Sequence, residues 1–350
     1  MNVGLIGCGR VAGVHMAVYK RIKDVNVVAV SDLNLEKAKT FAKEHGVEKF
    51  FEDYVDLLEL RELDFVDICT PVSTHAHIAC DIAKFGLDIL TEKPMALSTA
   101  ECEKMIAESK KQGVRLCVCH NQLFIPSLMK AKSLVDSGYY NLVSFKTSCK
   151  ESFEVLQARK FAQKWNISPE EKGILWEVAC HPAYLQLHFL QDIKEVFALG
   201  NKVKYPVYDE FTVLLRTPGQ PYGIMDVSWL TKEAEMVYEI SDSEGRILQI
   251  YRDHDYLLEK SEIPPSNVME AAHSIYLDEK RLLKKWMKFG LTYLNRGKLH
   301  PTEFPHFILI SRYIESLKND STVPVTPDEG KKTIKLLECI EESLNNHTVV

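Results

Sequence analysis

Residues able to do chemistry appear at once. Gly7-Cys8-Gly9-Arg10-Val11-Ala12 follows a short apolar run, Asn2 to Ile6, and opens a stretch with helical spacing. In such a strand-to-helix turn the first glycine admits a tight bend. The second lets backbone N–H groups approach a pyrophosphate at the positive helix end, and a small third residue lets helix pack on strand. Asp32 closes the next apolar run, 23 residues beyond Gly9. A carboxylate there accepts hydrogen bonds from an adenosine 2′-hydroxyl and repels a 2′-phosphate. Together the two features point to NAD, with NADP the alternative that Arg10 would serve. The bland reading is a ligand-free turn and a helix-capping aspartate, and the full strand-turn-helix context weighs against it.

Lys93 and His181 are the candidates for proton chemistry. Lys93 sits in Thr91-Glu92-Lys93-Pro94 after another apolar run, where open α/β sheets collect ligands, and Pro94 restricts the backbone there. Beside a nicotinamide cation its ammonium is disfavoured by like charge and desolvation. The pKa is then expected to fall, with Glu92 tempering the effect, so that Lys93 can share the proton of a substrate hydroxyl. His181 lies four residues after Glu177. On one continuous helix the two share a face, and the carboxylate would orient an imidazole suited to general-base work, although a lone histidine on a partly apolar helix is by its residues alone more often structural. Pro182 opens the alternative that the helix begins there, leaving Glu177 in the preceding loop and removing the shared face. Trp165 could stack on a sugar ring or nicotinamide edge, or fill a core. His188 reads as a partly buried structural histidine, and Lys280, Arg281, Lys284, Lys285 and Lys288 as a solvated helix face.

These residues need a scaffold. From Met1 to about His120, strands at 2–6, 26–31, 65–70, 87–90 and 114–118 alternate with helical patterns at 11–23, 35–45, 75–85 and 99–112. Ser98 suits an N-cap and Gly46, Gly86 and Gly113 suit C-caps, so this is a parallel sheet with crossover helices. After about Leu123 the texture changes. A helix over 126–137 ends at Gly138, and strands follow at 142–149, 193–199, 210–216, 222–229, 236–241 and 246–251 with turn residues between them. Helices are expected over 173–190, 277–289, 304–318 and 327–344, and 254–273 reads as irregular. The fold class is therefore α/β followed by α+β. Residues 1–122 are expected to form a Rossmann dinucleotide-binding domain, and 123–350 a mostly antiparallel, open-faced sheet domain for oligomerisation and, as the resemblance given next implies, substrate binding.

Two further segments carry a resemblance. Val66-Asp67-Ile68-Cys69-Thr70-Pro71, then His75, then Glu92-Lys93-Pro94, resembles the glucose-fructose oxidoreductase and inositol dehydrogenase (Gfo/Idh/MocA) family. The likeness runs on through Ser137-Gly138 and Trp165 to Gly173-Ile174-Leu175-Trp176-Glu177-Val178-Ala179-Cys180-His181. There Glu177 and Ala179 replace the family's usual aspartate and glycine, and His181 is retained. The resemblance implies NAD(P) and a sugar or polyol meeting between the domains. Gly7, Cys8, Gly9, Arg10, Val11, Asp32, Thr70, Pro71, His75, Glu92, Lys93 and Asn121 would touch the cofactor, Lys93, Trp165 and His181 the substrate, and Lys93 and His181 would be catalytic with Glu177. It also implies two alternatives: a redox-neutral glycosidase using NAD transiently, or a dinucleotide-binding regulator.

Composition narrows the classes further. Of 350 residues 46% are hydrophobic and 26% charged, enough to bury large cores. Net charge −6 and pI ≈ 6.1 leave no electrostatic footprint for nucleic acid or an anionic membrane. No apolar run is long enough to span a bilayer, and Met1 leads directly into a strand, so a cytoplasmic location is expected. The nine cysteines form no C-x-x-C pair or zinc spacing, and no metal is expected. In Cys117-Val118-Cys119-His120, strand alternation separates the histidine from the thiols. An apolar outer sheet face predicts a homodimer or homotetramer.

Overall fold

A computed structural model describes residues 1–158, 164–252, 255–260 and 303–350. The expected helix over 277–289, its basic stripe and most of 254–273 fall outside these residues.

Six strands, β1 (Asn2–Ile6), β2 (Asn26–Ser31), β3 (Lys49–Phe51), β4 (Phe65–Ile68), β5 (Asp88–Thr91) and β6 (Leu116–Val118), form an all-parallel sheet in the order 3-2-1-4-5-6. Helices α1 (Arg10–Tyr19), α2 (Leu35–His45), α3 (Tyr54–Leu58), α4 (His75–Lys84) and α5 (Thr99–Gln112) make the crossovers. Covered on both faces, the central strands read as continuous apolar runs, and β4 is buried throughout. Its one charged residue, Asp67, therefore requires partners inside the protein. Local signals set the helix limits. The Asn34 side chain caps α2 at Lys37 N–H and Ser98 caps α5 at Glu101 N–H, while Gly46 and Gly113 end those helices in the left-handed region. The strand order reverses at β1/β4, the crevice where open sheets of this kind bind ligands.

After α6 (Pro126–Asp136) comes a seven-stranded sheet. It contains β7 (Leu142–Ser152), β8 (Glu195–Asn201), β9 (Glu210–Arg216), β10 (Tyr222–Ser228), β11 (Leu230–Asp242), β12 (Ile247–Tyr251) and β13 (Tyr256–Lys260), in the order 13-12-11-7-10-9-8. Only β7 and β10 pair in parallel. Short helices α7 (Phe153–Ala158) and α8 (Gly173–Glu177) and the longer α9 (Cys180–Leu190) lie between β7 and β8. The α9 residue Gln186 donates from Nε2 to the carbonyls of Phe145 in β7 and Ile224 in β10, at 3.1 and 2.9 Å. It thereby ties the helix across the parallel pair.

The single helix expected over 173–190 is two helices. Within a continuous helix Pro182 would deny Val178 its hydrogen bond and clash with that carbonyl. The chain instead restarts at Cys180, with Pro182 in the first turn, where no N–H is missed. Helices α10 (Phe304–Lys318) and α11 (Pro327–Asn346) return to the first sheet. Val118 N–H bonds the Val325 carbonyl at 3.2 Å, Arg115 reaches the carbonyls of Ser316 and Leu317, and Thr99 N–H donates to Glu338 at 2.8 Å.

Candidate active site

The carboxyl ends of β1, β4, β5 and β6 open on one crevice. At the first, Gly7 has φ +93°, and a Cβ there would lie 2.6 Å from the Cys69 carbonyl oxygen in the turn after β4. No other residue fits. At Gly9 a Cβ would meet nothing within 4 Å, and no side chain caps the N-terminus of α1. An open approach to uncapped helix-terminal amides suits a pyrophosphate. Cys8 N–H donates to Asp32 at 3.0 Å, fastening the second strand's carboxylate to the glycine turn. Asp32 also accepts from Asn34 N–H at 3.1 Å and pairs with Lys37 at 2.6 Å. Burial works against its charge, but Lys37 and the two backbone donors prevail and hold its pKa below the ordinary aspartate value. Lys37 carried no motif in the sequence. The open Gly9 approach, the uncapped helix end and the Asp32 carboxylate thus fit a dinucleotide.

Glu92, Lys93 and Pro94 follow β5, and the Lys93–Pro94 peptide is cis. Lys93 crosses to the second domain, where its Nζ donates to the Glu177 carbonyl at 3.0 Å and to Glu177 Oε1 at 3.1 Å. The expected fall in its pKa is reversed: desolvation lowers it, but Glu177 and Glu92 outweigh that and raise it. The expected pairing of Glu177 with His181 is also corrected. With the helix broken at Val178 and Ala179, the Glu177 side chain turns to Lys93. His181 instead shares Nδ1 with the hydroxyl of Tyr184, one turn further along α9, at 2.8 Å. Burial, then the charges of Lys93 and Arg252, lower the His181 pKa well below the usual imidazole value. The proximity of Lys93 brings the two candidate proton-transfer groups into one site.

Other expected residues occupy supporting places. His75 is buried, with Nδ1 and Nε2 each 2.9 Å from a carbonyl, Pro94 and Thr70 respectively. It braces the loops after β4 and β5. The Thr74 hydroxyl gives its one proton to the Pro71 carbonyl at 2.8 Å and accepts that of Thr70 at 2.7 Å. Asn121 lies in a 3-10 turn after β6, with Nδ2 3.2 Å from His306 and Oδ1 accepting from Tyr184 at 3.3 Å. The backbone of Trp165 lies in a 3-10 turn, Lys164–Ile167, and its side chain is outside the described residues. His188, expected to be partly buried, is exposed in the last turn of α9.

Beneath the site lies a buried polar cluster that no motif announced. His15 of α1 has Nδ1 2.7 Å from Asp67 and Nε2 3.1 Å from Glu92. Tyr19 donates to Asp67 at 2.8 Å, and Lys93 N–H donates to Glu92 at 3.1 Å. Glu92 therefore faces inward. Burial opposes charge on His15, yet Asp67 raises its pKa well above the imidazole value; burial likewise opposes charge on Glu92, and His15 with Lys93 drives it far below the carboxylate range. One imidazolium bridging two carboxylates satisfies the group. Cys119 and His306 complete a quartet with His15 and Glu92 whose donor atoms lie within 4.8 Å of one another. This donor set could take a borderline metal, although a proton on His15 already serves both carboxylates. His120 stacks on Tyr184 with ring centroids 4.2 Å apart. The only sequence signal for the cluster was histidine on the apolar face of α1.

Comparisons with known proteins agree with this architecture. Residues 1–120 match the model of the oxidoreductase family with an NAD-binding Rossmann fold, and residues 128–248 match the GFO/IDH/MocA C-terminal domain. Myo-inositol 2-dehydrogenase of Thermotoga maritima is 28% identical over 71% of this chain and 74% of its own length. An uncharacterised oxidoreductase of Bacillus subtilis is 34% identical, but the match spans 39% of this chain and 40% of that protein. The WlbA dehydrogenase from Bordetella pertussis, solved with NADH and UDP-GlcNAcA, superposes with TM-score 0.82 at 20% identity, covering 100% of this chain and 97% of its own. Levoglucosan dehydrogenase with NADH gives 0.81 at 17% identity, covering 100% and 98%. Among the described residues no helix is long and apolar enough to cross a membrane.

Proposed function

Because the chain belongs to the Gfo/Idh/MocA family of NAD-binding oxidoreductases, we propose that it is a dehydrogenase oxidising a secondary alcohol of a sugar, polyol or sugar derivative, or running that reaction in reverse. The observation that carries this reading is Lys93. Its ammonium spans the domains to Glu177 and is the leading charge acting on His181. Gly7 and Cys8 would shape the turn, their N–H groups bonded to Ser31 and Asp32, the amides from Gly9 through Arg10 to Val11 would hold the pyrophosphate, and Asp32 the adenosine ribose. Thr70, Pro71 and Asn121 would border the nicotinamide end, with His75 and Glu92 supporting them from beneath. When bound, the nicotinamide accepts or returns the hydride at C4.

Within this frame His181 and Lys93 divide the proton work. His181, neutral at physiological pH, takes the hydroxyl proton as the carbon gives up hydride. Lys93, kept protonated by Glu177 and Glu92, donates a hydrogen bond to the developing alkoxide and stabilises it before the carbonyl forms. Glu177 positions Lys93 and does not touch His181. Trp165, in the turn preceding α8, would border the substrate.

The test is a spectrophotometric screen of NAD and NADP against sugars, inositols and sugar nucleotides, with Lys93→Met and His181→Ala as controls. Reduced cofactor that disappears in both variants supports the dehydrogenase. Tight dinucleotide binding with no reduction across the panel overturns it in favour of a redox-neutral glycosidase or a regulator.

A cytoplasmic homo-oligomer is part of the same proposal. On the outer face of the second sheet Leu214 is flanked by Phe197 and Ile224, with Leu199 and Tyr222 exposed nearby. A second copy covering this row would remove it from water. Light scattering that returns a monomer would sink that part.

A further inference from the structure

Tyr184 has two roles to reconcile. Its ring is fully buried and stacked on His120, yet its hydroxyl makes three polar contacts at the edge of the site. Gln122 N–H points at the phenol oxygen from 3.1 Å, His181 Nδ1 lies 2.8 Å away, and Asn121 Oδ1 lies 3.3 Å away. A phenol has one proton and two lone pairs. A backbone N–H can only donate, so one lone pair belongs to Gln122. Asn121 turns Nδ2 to His306 Nε2 at 3.2 Å, which leaves Oδ1 to receive the tyrosine proton. The second lone pair then faces His181 Nδ1, and that nitrogen must bring its own hydrogen.

We propose that Tyr184 is a positioning residue that holds His181 in the Nδ1–H tautomer and so leaves Nε2 as the basic nitrogen. Glu177 cannot serve this purpose because Lys93 occupies it. Among the described residues His181 Nε2 has no hydrogen-bond partner, as a base awaiting a substrate hydroxyl requires. When His181 takes a proton at Nε2, the Nδ1–H bond to Tyr184 is already in place, and the imidazolium forms without rotating the ring. The charged and titratable groups around His181 are Lys93, Arg252, Glu92 and His120. Only Tyr184 bonds the imidazole directly among the described residues.

This inference rests on reading His181 as the base, so its test includes a readout that needs no turnover. Histidine-15N-labelled protein with NAD is examined by long-range 1H–15N correlation at pH 7.5, with His181→Gln used to assign the signal. The wild type should show His181 protonated at Nδ1 and bare at Nε2. Tyr184→Phe, which keeps the ring on His120, should lose that preference. With a substrate in hand the variant should lose roughly 10- to 100-fold in kcat while KM stays within about twofold, since a wrong tautomer removes the base but not the binding. An Nε2–H tautomer in the wild type, with the amide of Asn121 turned over, would overturn the proposal. So would a His181 tautomer unchanged in Tyr184→Phe. If no substrate is ever turned over, the dehydrogenase reading fails, and the wild-type tautomer still decides this one.

Discussion

Replacing His15 by phenylalanine keeps a ring in the middle of the first domain while removing both nitrogens that face carboxylates. In the intact protein Asp67 is fully buried and Glu92 nearly so, and His15 reaches them at 2.7 and 3.1 Å. Tyr19 and the Lys93 N–H remain to solvate them in the variant, but the positive charge between them is gone. Breaking a buried charge group by removing one member costs about 3–5 kcal/mol. The pH dependence has a definite sign. In the wild type the raised His15 pKa gives a contribution that is complete below its unfolded value of 6.5 and is lost as pH rises through the folded value. The variant lacks that contribution at every pH. There Glu92, deprived of the charge that depressed its pKa, takes up a proton, so the variant's stability rises as pH falls from neutrality toward the unfolded glutamate value of 4.5. The gap between the proteins is therefore widest near pH 6.5. It should narrow by up to about 1.4 kcal/mol per pH unit on acidification, or about 2 kcal/mol by pH 5. Urea denaturation at the two pH values measures this. A cost below about 1 kcal/mol at both, with no narrowing, would show that the carboxylates do not depend on a shared imidazolium.

Four further outcomes can be checked. Lys93→Met should lower kcat by about 10²- to 10⁴-fold, with NADH affinity by fluorescence titration unchanged within about threefold, because the ammonium acts on the alkoxide. Asp32→Ala should weaken NAD by about 10- to 100-fold and improve NADP relative to it, since Lys37 is released beside the ribose site; unchanged cofactor preference would refute that placement. The pH profile of kcat/KM for alcohol oxidation should rise through a pKa below 6.5 and stay flat through neutrality, because burial and Lys93 hold His181 neutral; a limb near 7 or above would contradict it. Gly7→Ala should cost about 1–3 kcal/mol in thermal or urea unfolding and abolish dinucleotide binding, given φ +93° and a Cβ 2.6 Å from a carbonyl oxygen.

How much was legible in the sequence depends on the range of each signal. Helices α2 and α5 could be bounded to the residue because their caps are local: Asn34, Gly46, Ser98 and Gly113 act within one turn. Strand β3 escaped notice because three residues carry no periodicity, and α3 because five residues make little more than one turn. The glycine turn and Asp32 were readable since their spacing is set by one βαβ unit. The partners of Lys93 and His181 were not. Whether Glu177 serves one or the other depends on a helix break that Pro182 permits and on a tertiary contact 84 residues away. The His15 cluster joins residues from α1, β4, the end of β5 and, through His306, α10, and no local pattern encodes such a meeting.

The return of α10 and α11 to the first sheet bears on how the protein is made. The edge strand β6 gives its Val118 N–H to Val325, and Gly330 of α11 packs so close to Met95 and Val118 that a Cβ would lie 2.7 Å from the Met95 sulfur. The covering segment is translated about 200 residues after the edge it protects. At roughly 5–20 residues per second, β6 waits about 10–40 s on the ribosome as an unpaired parallel edge. During that interval the nascent first domain offers a template for another strand, and it is then that a chaperone would matter most.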